Sequence, residues 1–278
     1  MEKTLKVLDH GEVTLVDVFG NDTRIADVAR GSYKLGTKRT SSDEQLIRYL
    51  IRHQHSSPIE FGQLIFHMKM PIFVARQLVR HRTIKMNEAS LRYSEAPEEM
   101  YVPNVQQCTA QSTTNKQGRV EYTDDAVFNA TLSRDRIIES GKYLRSKYEE
   151  LLSYGTAREI ARIVLPLSQY TEMSVSWDLR NLLGFLKLRQ DPHAQWEIRV
   201  YANAIHDLAR PYFPIVFAAY DDYIRNARTL SSLEQRLLFS MTDIQHDTPS
   251  ESYATQLGMS KREYTEFYDW LTEQRKSN

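Results

Sequence analysis

The chain has 278 residues, 41% hydrophobic and 26% charged, which gives enough apolar material for a folded core and excludes intrinsic disorder as the default. Its 36 basic residues balance 36 acidic ones, so no whole-protein field favours nucleic acid or an anionic membrane surface, and neither partner is expected. A single cysteine, Cys108, excludes an intrachain disulfide, and no apolar run approaches the roughly 18 residues of a membrane span.

The charged N-terminal segment does not resemble a signal peptide, and a cytoplasmic protein is the simplest expectation. Residues 12–18 alternate apolar and polar at period two, as a half-buried strand does. Gly20-Asn21-Asp22 reads as a turn, followed by helical spacing over 23–30 with Ile25, Val28 and Ala29 on one side. Ser41-Ser42-Asp43-Glu44 offers N-caps and acidic first-turn residues to a helix running through Ile51.

A second strand is expected over 63–70, with Leu64, Phe66, Met68 and Met70 on one face and Ile65, His67 and Lys69 on the other. Pro71 ends it and opens a helix over 72–80. The stretch 83–99 reads as irregular, and 106–117, rich in Gln, Thr, Asn and Ser, as a surface excursion. Residues 124–154 have the pattern of a long amphipathic helix closed by Gly155. Thr156-Ala157-Arg158-Glu159 has the form of a capping box for a helix that Pro166 stops.

Residues 170–177 read as a strand, Asp178 caps a helix through Arg189, and a further helix headed by His193 runs to Leu208. Two more capping boxes, Ser231…Glu234 and Ser260…Glu263, mark a polar, helical tail. The expectation is α+β: a mixed sheet core packed with long helices over residues 1–220, and a helical C-terminal appendage over 221–278.

The helix over 72–80 puts Arg76, Gln77 and Arg80 on neighbouring faces and leaves Phe73, Val74 and Leu78 for the core. Arg80-His81-Arg82 falls where that helix ends, so a capped helix end is a sufficient account of those three residues alone. The interval up to Arg92 also holds Lys85, Asn87, Glu88 and Ser90. Guanidinium forks, hydroxyl and amide donors and one carboxylate together suit a phosphate-bearing ligand with a ribose or base edge. No Walker sequence or G-x-G-x-x-G accompanies them, so a binding protein without chemistry stays open on this ground. A phosphate hydrolase would need a carboxylate cluster for Mg²⁺, and the sequence offers none.

Arg158 and Arg162 share a helix face, and Arg180 and Arg189 flank the following helix; arginines so spaced are most often a solvated face. His53-Gln54-His55, His67 and His81 lack Cys or carboxylate partners at ligand spacing, so no metal is expected, and a binding role for His55 or Ser57 at a helix–loop junction is favoured. Cys108 lies in the polar excursion, away from cations that would lower its pKa, and is not expected to act as a nucleophile. Ser90 is read as a hydrogen-bonding residue, since only Glu88 is near enough in sequence to serve it as a base.

Arg80-His81-Arg82, seven residues, then Ser90 resembles the R-H-R-x7-S signature of the flavin-dependent thymidylate synthases. The resemblance extends through Pro71-Ile72-Phe73-Val74-Ala75-Arg76-Gln77, Asn87-Glu88, Arg92-Tyr93-Ser94, Ala161-Arg162-Ile163-Val164-Leu165-Pro166 and Ala194-Gln195-Trp196-Glu197-Ile198. It covers roughly residues 12–220 in consistent order, and the tail lies outside it.

The resemblance implies a homotetramer in which FAD and dUMP meet where subunits join. NADPH would reduce the flavin, and methylenetetrahydrofolate would supply the one-carbon unit. It also implies that Ser57, Arg80, His81, Arg82, Glu88, Asp178 and Arg180 contact the flavin cofactor. The dUMP contacts implied are Gln77, Arg80, Glu88, Ser90, Arg92, Arg162 and Arg189, with Arg189 as the catalytic residue that polarises the pyrimidine. Three positions depart from the usual pattern: Lys85 stands where a small polar residue is common, Asp178 replaces a frequent Asn, and Gly184 replaces a larger polar residue. The conventional thymidylate synthase needs a thiolate nucleophile, and the poorly placed Cys108 favours the flavin route instead.

Overall fold

A computed structural model of the protein describes residues 3–31, 41–113, 116–241 and 250–277. The chain opens with a hairpin, β1 (Lys3–Val7) and β2 (Gly11–Phe19), followed by helices α1 (Asp22–Arg30) and α2 (Asp43–Arg52). A turn of 3-10 helix at Ser57–Phe61 leads into β3 (Gln63–Pro71) and α3 (Ile72–Leu78), and the short strand β4 (Lys85–Glu88) follows. Then come α4 (Val127–Ser153), the one-turn α5 (Arg158–Ala161), β5 (Tyr170–Asp178), α6 (Leu179–Arg189), α7 (Trp196–Ala209) and α8 (Pro214–Tyr220). Beyond a short π-helical turn lie α9 (Ser232–Met241), α10 (Glu251–Gln256) and α11 (Lys261–Ser277).

The α+β class is as the sequence implies, but the sheet is not mixed. Its five strands run in the order β1-β2-β3-β5-β4, and every pairing is antiparallel. Periodicity carries no record of strand direction, and β4 itself goes unseen because it is four residues long, lies at the sheet edge and is exposed throughout, so no alternation marks it. It lies within the stretch expected to be irregular. The hairpin strand β1 and the helix α8 also escaped the periodicity reading.

Period-two burial in β3 and β5 assembles one apolar face from Leu64, Phe66, Met68, Met70, Met173, Val175 and Trp177, each at most 1% exposed. Helices α6, α7 and α8 contribute Leu182, Phe185, Ile198, Tyr201, Ile205, Phe217 and Tyr220 to the same core. The opposite face carries a cross-strand row of alternating charge, Lys6–Glu12–Lys69–Glu172, set by the register of four strands. Gly11 is required by close approach: a Cβ there would come within 2.1 Å of the Tyr201 hydroxyl, which donates to the Lys69 carbonyl at 2.7 Å.

Helix ends follow the expected chemistry in most places. Ser42 and Gln45 form a reciprocal capping box at α2, Asp178 accepts from the Asn181 amide at α6, and Gly155 closes the turn after α4 with φ of +80°. The box expected at Thr156…Glu159 does not form: Ala157 precedes α5 without a side-chain cap, and the helix lasts one turn before a 3-10 turn at Arg162–Val164. His193 does not head a helix either. It sits in the loop before α7 with Nδ1 2.8 Å from Asp191 Oδ1, and α7 starts at Trp196.

The chain divides into two compact units, Met1–Arg225 and Asn226–Asn278. Within the second, both expected capping boxes form, Ser231 with Glu234 and Ser260 with Glu263.

Candidate functional site

The Arg80-His81-Arg82 segment leaves the C-terminal end of α3, whose buried side, Val74, Ala75 and Leu78, anchors it to the core. His81 is fixed from the sheet outward by a run of ring contacts. Phe66 packs on Trp177 at 5.9 Å, Trp177 on Phe185 at 5.3 Å, and Phe185 edge-on to the His81 imidazole at 4.9 Å. The last turn of α6 brings Arg189 to the same place: its Nε donates to His81 Nε2 at 3.0 Å, and its Nη2 to the Gln77 carbonyl at 3.4 Å.

An arginine only donates, so His81 Nε2 must be unprotonated and the ring proton must sit on Nδ1. The electrostatics agree: burial, and secondarily the Arg189 charge, push the His81 pKa below its ordinary 6.5. Burial also lowers the Arg189 pKa, though a guanidinium stays cationic at neutral pH. Gln77 is held in turn by Gln195, just ahead of α7, whose Oε1 accepts from Gln77 Nε2 at 2.5 Å. The sequence brought Gln77, His81 and Arg189 under suspicion, but not the bonds between them, and Gln195 carried no signal beyond its place in the resemblance.

The other expected nucleotide contacts lie on β4 and the turn after it. Cross-strand partners share a face, so Glu88, opposite Met173, projects to the core side of the sheet, while Lys85 and Asn87, opposite Ser176 and Ser174, project to the other. Ser90 starts a turn in which its carbonyl accepts from the Tyr93 amide at 3.0 Å and its Oγ from the Arg92 amide at 3.3 Å. Arg92 Nε then reaches Glu159 Oε2 on α5 at 3.3 Å, which brings it to the helix turn that leads into Arg162. Arg158 pairs with Glu95 at 3.6 Å. Arg80, Arg82, Lys85 and Arg162 are exposed and carry no side-chain hydrogen bond or ion pair among the described residues.

A family model described as "Thymidylate synthase complementing protein" matches residues 14–215. A flavin-dependent thymidylate synthase of Wolbachia pipientis is 42% identical over 97% of this chain and 92% of its own. One from Gluconobacter oxydans is 42% identical over 94% of this chain and 85% of its own. The chain belongs to the flavin-dependent thymidylate synthase family. Among solved structures, a UMP/dUMP methylase, PolB, from Streptomyces cacaoi with bound 5-Br dUMP superposes with a TM-score of 0.70 at 30% identity, covering 80% of this chain and 99% of that one.

Within this family member, the remaining positions implied for the flavin lie at the far end of α6, about 15 Å from Arg189 along an eleven-residue helix. Asp178 is committed as the cap, accepting from the Asn181 amide at 2.9 Å and from its Nδ2 at 2.6 Å. Arg180 pairs with Glu60 at 3.4 Å, on the 3-10 turn that Ser57 opens. Between the two ends, Gly184 faces open space: apart from its chain neighbours and its own helix backbone, nothing lies within 4 Å of the point a Cβ would take. One subunit therefore offers two separated groups of these residues.

Cys108 is not where the sequence implied. It lines a cleft of about 370 Å³ together with Tyr101, Arg119, Gln195 and Glu197, so cations do approach it. Arg119 and Arg134 pull its pKa down, but burial outweighs them and pushes the thiol up. Buried Glu197 accepts from Arg119 Nη1 and from the Tyr101 hydroxyl, both at 3.2 Å. Among the described residues no group of three or more His, Cys, Asp or Glu is arranged to hold a metal ion, and no helix is long and apolar enough to cross a membrane.

Proposed function

We propose that the protein converts dUMP to dTMP, with methylenetetrahydrofolate as one-carbon donor and NADPH-reduced FAD as the hydride source, and without a cysteine nucleophile. The observation that carries this reading is the unneutralised charge of Arg80 and Arg82, which flank the His81 that holds Arg189, together with that of Arg162 among the described residues. Cations without carboxylate partners suit the phosphates of a mononucleotide and of a dinucleotide cofactor. The open face of α6 at Gly184 leaves room for a planar ring, so the residues present fit a flavin. A bound flavin supplies hydride transfer.

The protein's own part is to bind, orient and polarise. Arg189 spends Nε and Nη2 on His81 and Gln77, which leaves Nη1 to face a ligand carbonyl. A fixed positive charge there favours electron density on a pyrimidine oxygen and so activates the ring without covalent attack. The raised pKa of Cys108 supports a route that needs no thiolate.

The reading extends to a homotetramer and a cytoplasmic location. The separation of the two residue groups along α6 supports a site completed by a second subunit. So does α4, where Phe128, Leu132 and Tyr143 share one face and are 78%, 44% and 61% exposed. The chemistry is assigned to residues 1–220, and the extension 221–278 is assigned no role in it.

The visible spectrum of the purified protein tests the proposal. A flavin absorbance that bleaches with NADPH, together with tritium or mass-labelled dTMP formed from dUMP and not from UMP, is the expected result. A colourless protein that fails to bind added FAD overturns it.

A further inference from the structure

Two carboxylates near the cationic segment are taken by arginines. Glu95 lies 3.6 Å from Arg158, and Glu159 lies 3.3 Å from Arg92. Glu88 pairs with no cation among the described residues, although Arg80, Arg82, Lys85 and Arg92 all lie within a few residues of it in the chain. Its Oε1 instead accepts a 2.7 Å hydrogen bond from Thr171 Oγ1.

Thr171 is suited to that task. It is 5% exposed, lies on β5 opposite Met70, and its branched Cβ restricts χ1. Glu88 is opposite Met173, two residues along β5, so Thr171 is its diagonal neighbour on the same face. The ladder continues just past Glu88, where the Ala89 amide donates to the Glu172 carbonyl at 2.8 Å, and this fixes the backbone at the point where the carboxylate meets Thr171.

A carboxylate free to swing among guanidinium groups would settle into a bidentate pair and cancel the charge of both partners. We propose that Thr171 is a positioning residue that holds the Glu88 carboxylate away from the neighbouring arginines and leaves Oε2 open to accept an O–H or N–H of the nucleotide. The arginines stay available for phosphate. The inference rests on the dUMP reading above, and neither spacing nor the family resemblance points to Thr171.

The test measures dUMP affinity by calorimetry, with kcat, KM and flavin content, on the full FAD-loaded protein and its variants. Thr171→Val keeps the shape and removes the donor, and it should weaken dUMP binding about tenfold, the loss of one hydrogen bond to a charged group. Flavin content should not change, and kcat should stay within about threefold, because the contact is made equally in the ground and transition states. Thr171→Ser should restore affinity, since it returns the hydroxyl. In a Glu88→Gln background, Thr171→Val should add much less.

Parent-like dUMP affinity in Thr171→Val overturns the inference. So does a folded Thr171→Ser as weak as Thr171→Val, which would make the effect one of packing. If Thr171→Val does not fold, Thr171→Ala against Thr171→Ser makes the same comparison. A parent protein that binds FAD but no dUMP overturns the substrate reading itself and the positioning role with it.

Discussion

Replacing His81 with Leu tests how Arg189 is held. In the parent, Arg189 has two anchors, the 3.0 Å bond to His81 Nε2 and a longer 3.4 Å bond to the Gln77 carbonyl. Leucine removes the shorter one and keeps apolar contact with Phe185, whose ring lies 4.9 Å from that of His81. A hydrogen bond from a charged donor is worth about 1.5–3 kcal/mol, so kcat/KM for dTMP formation should fall roughly 10- to 100-fold. His81→Gln places an amide oxygen near the position of Nε2 and should recover most of that loss.

The pH profile separates this role from simple filling of space. Burial and the Arg189 charge lower the His81 pKa from 6.5, so the acceptor is intact above that value and is lost as pH falls through the lowered one. The linkage has the same sign: an unfolded chain takes up the proton near 6.5 and the folded one only below it, so this contribution to stability is present above 6.5 and disappears on acidification. Initial rates between about pH 5 and pH 8, with FAD affinity titrated separately, should show an acid limb in the parent that is absent from His81→Gln. A His81→Leu protein with the parent's rate and the parent's acid limb would refute the argument.

Arg189→Ala should lower dTMP formation by at least about 100-fold while FAD stays bound, because the lost group acts on developing charge; normal turnover removes Arg189 from the mechanism. Cys108→Ala should leave turnover within about twofold, and a large loss measured in the same assay would restore a thiolate to the chemistry. Asp22 is a stability prediction remote from the site. Its Oδ2 and Oδ1 accept from the Ile215 and Val216 amides at 2.7 and 3.2 Å, so Asp22→Ala should cost about 1–3 kcal/mol in urea unfolding, and an unchanged midpoint contradicts that cap.

The strands β2, β3 and β5 and the helices α2, α4 and α6 were readable because burial imposes a period on the residues that make them. The edge strand β4 was not, since a strand exposed on both faces has no alternation to read. Capping boxes were a fair guide where the following helix was long enough to need them. At Thr156…Glu159 the same letters precede a single turn, and Ala157 starts it instead.

Cys108 shows the limit of distance in sequence as a measure of environment. Arg119 and Arg134 lie eleven and twenty-six residues away in the chain, yet the charges of both act on its thiol, and burial supplied by the fold outweighs them and raises its pKa. The sequence by itself determined the family and the R-H-R-x7-S constellation, because those rest on identity and spacing along the chain. Tertiary structure decided which groups touch. Arg189 meets His81 only because α6 ends beside α3, and Thr171 meets Glu88 only because β4 pairs with β5. Spacing along the chain carries no record of contacts between residues 108 and 83 positions apart.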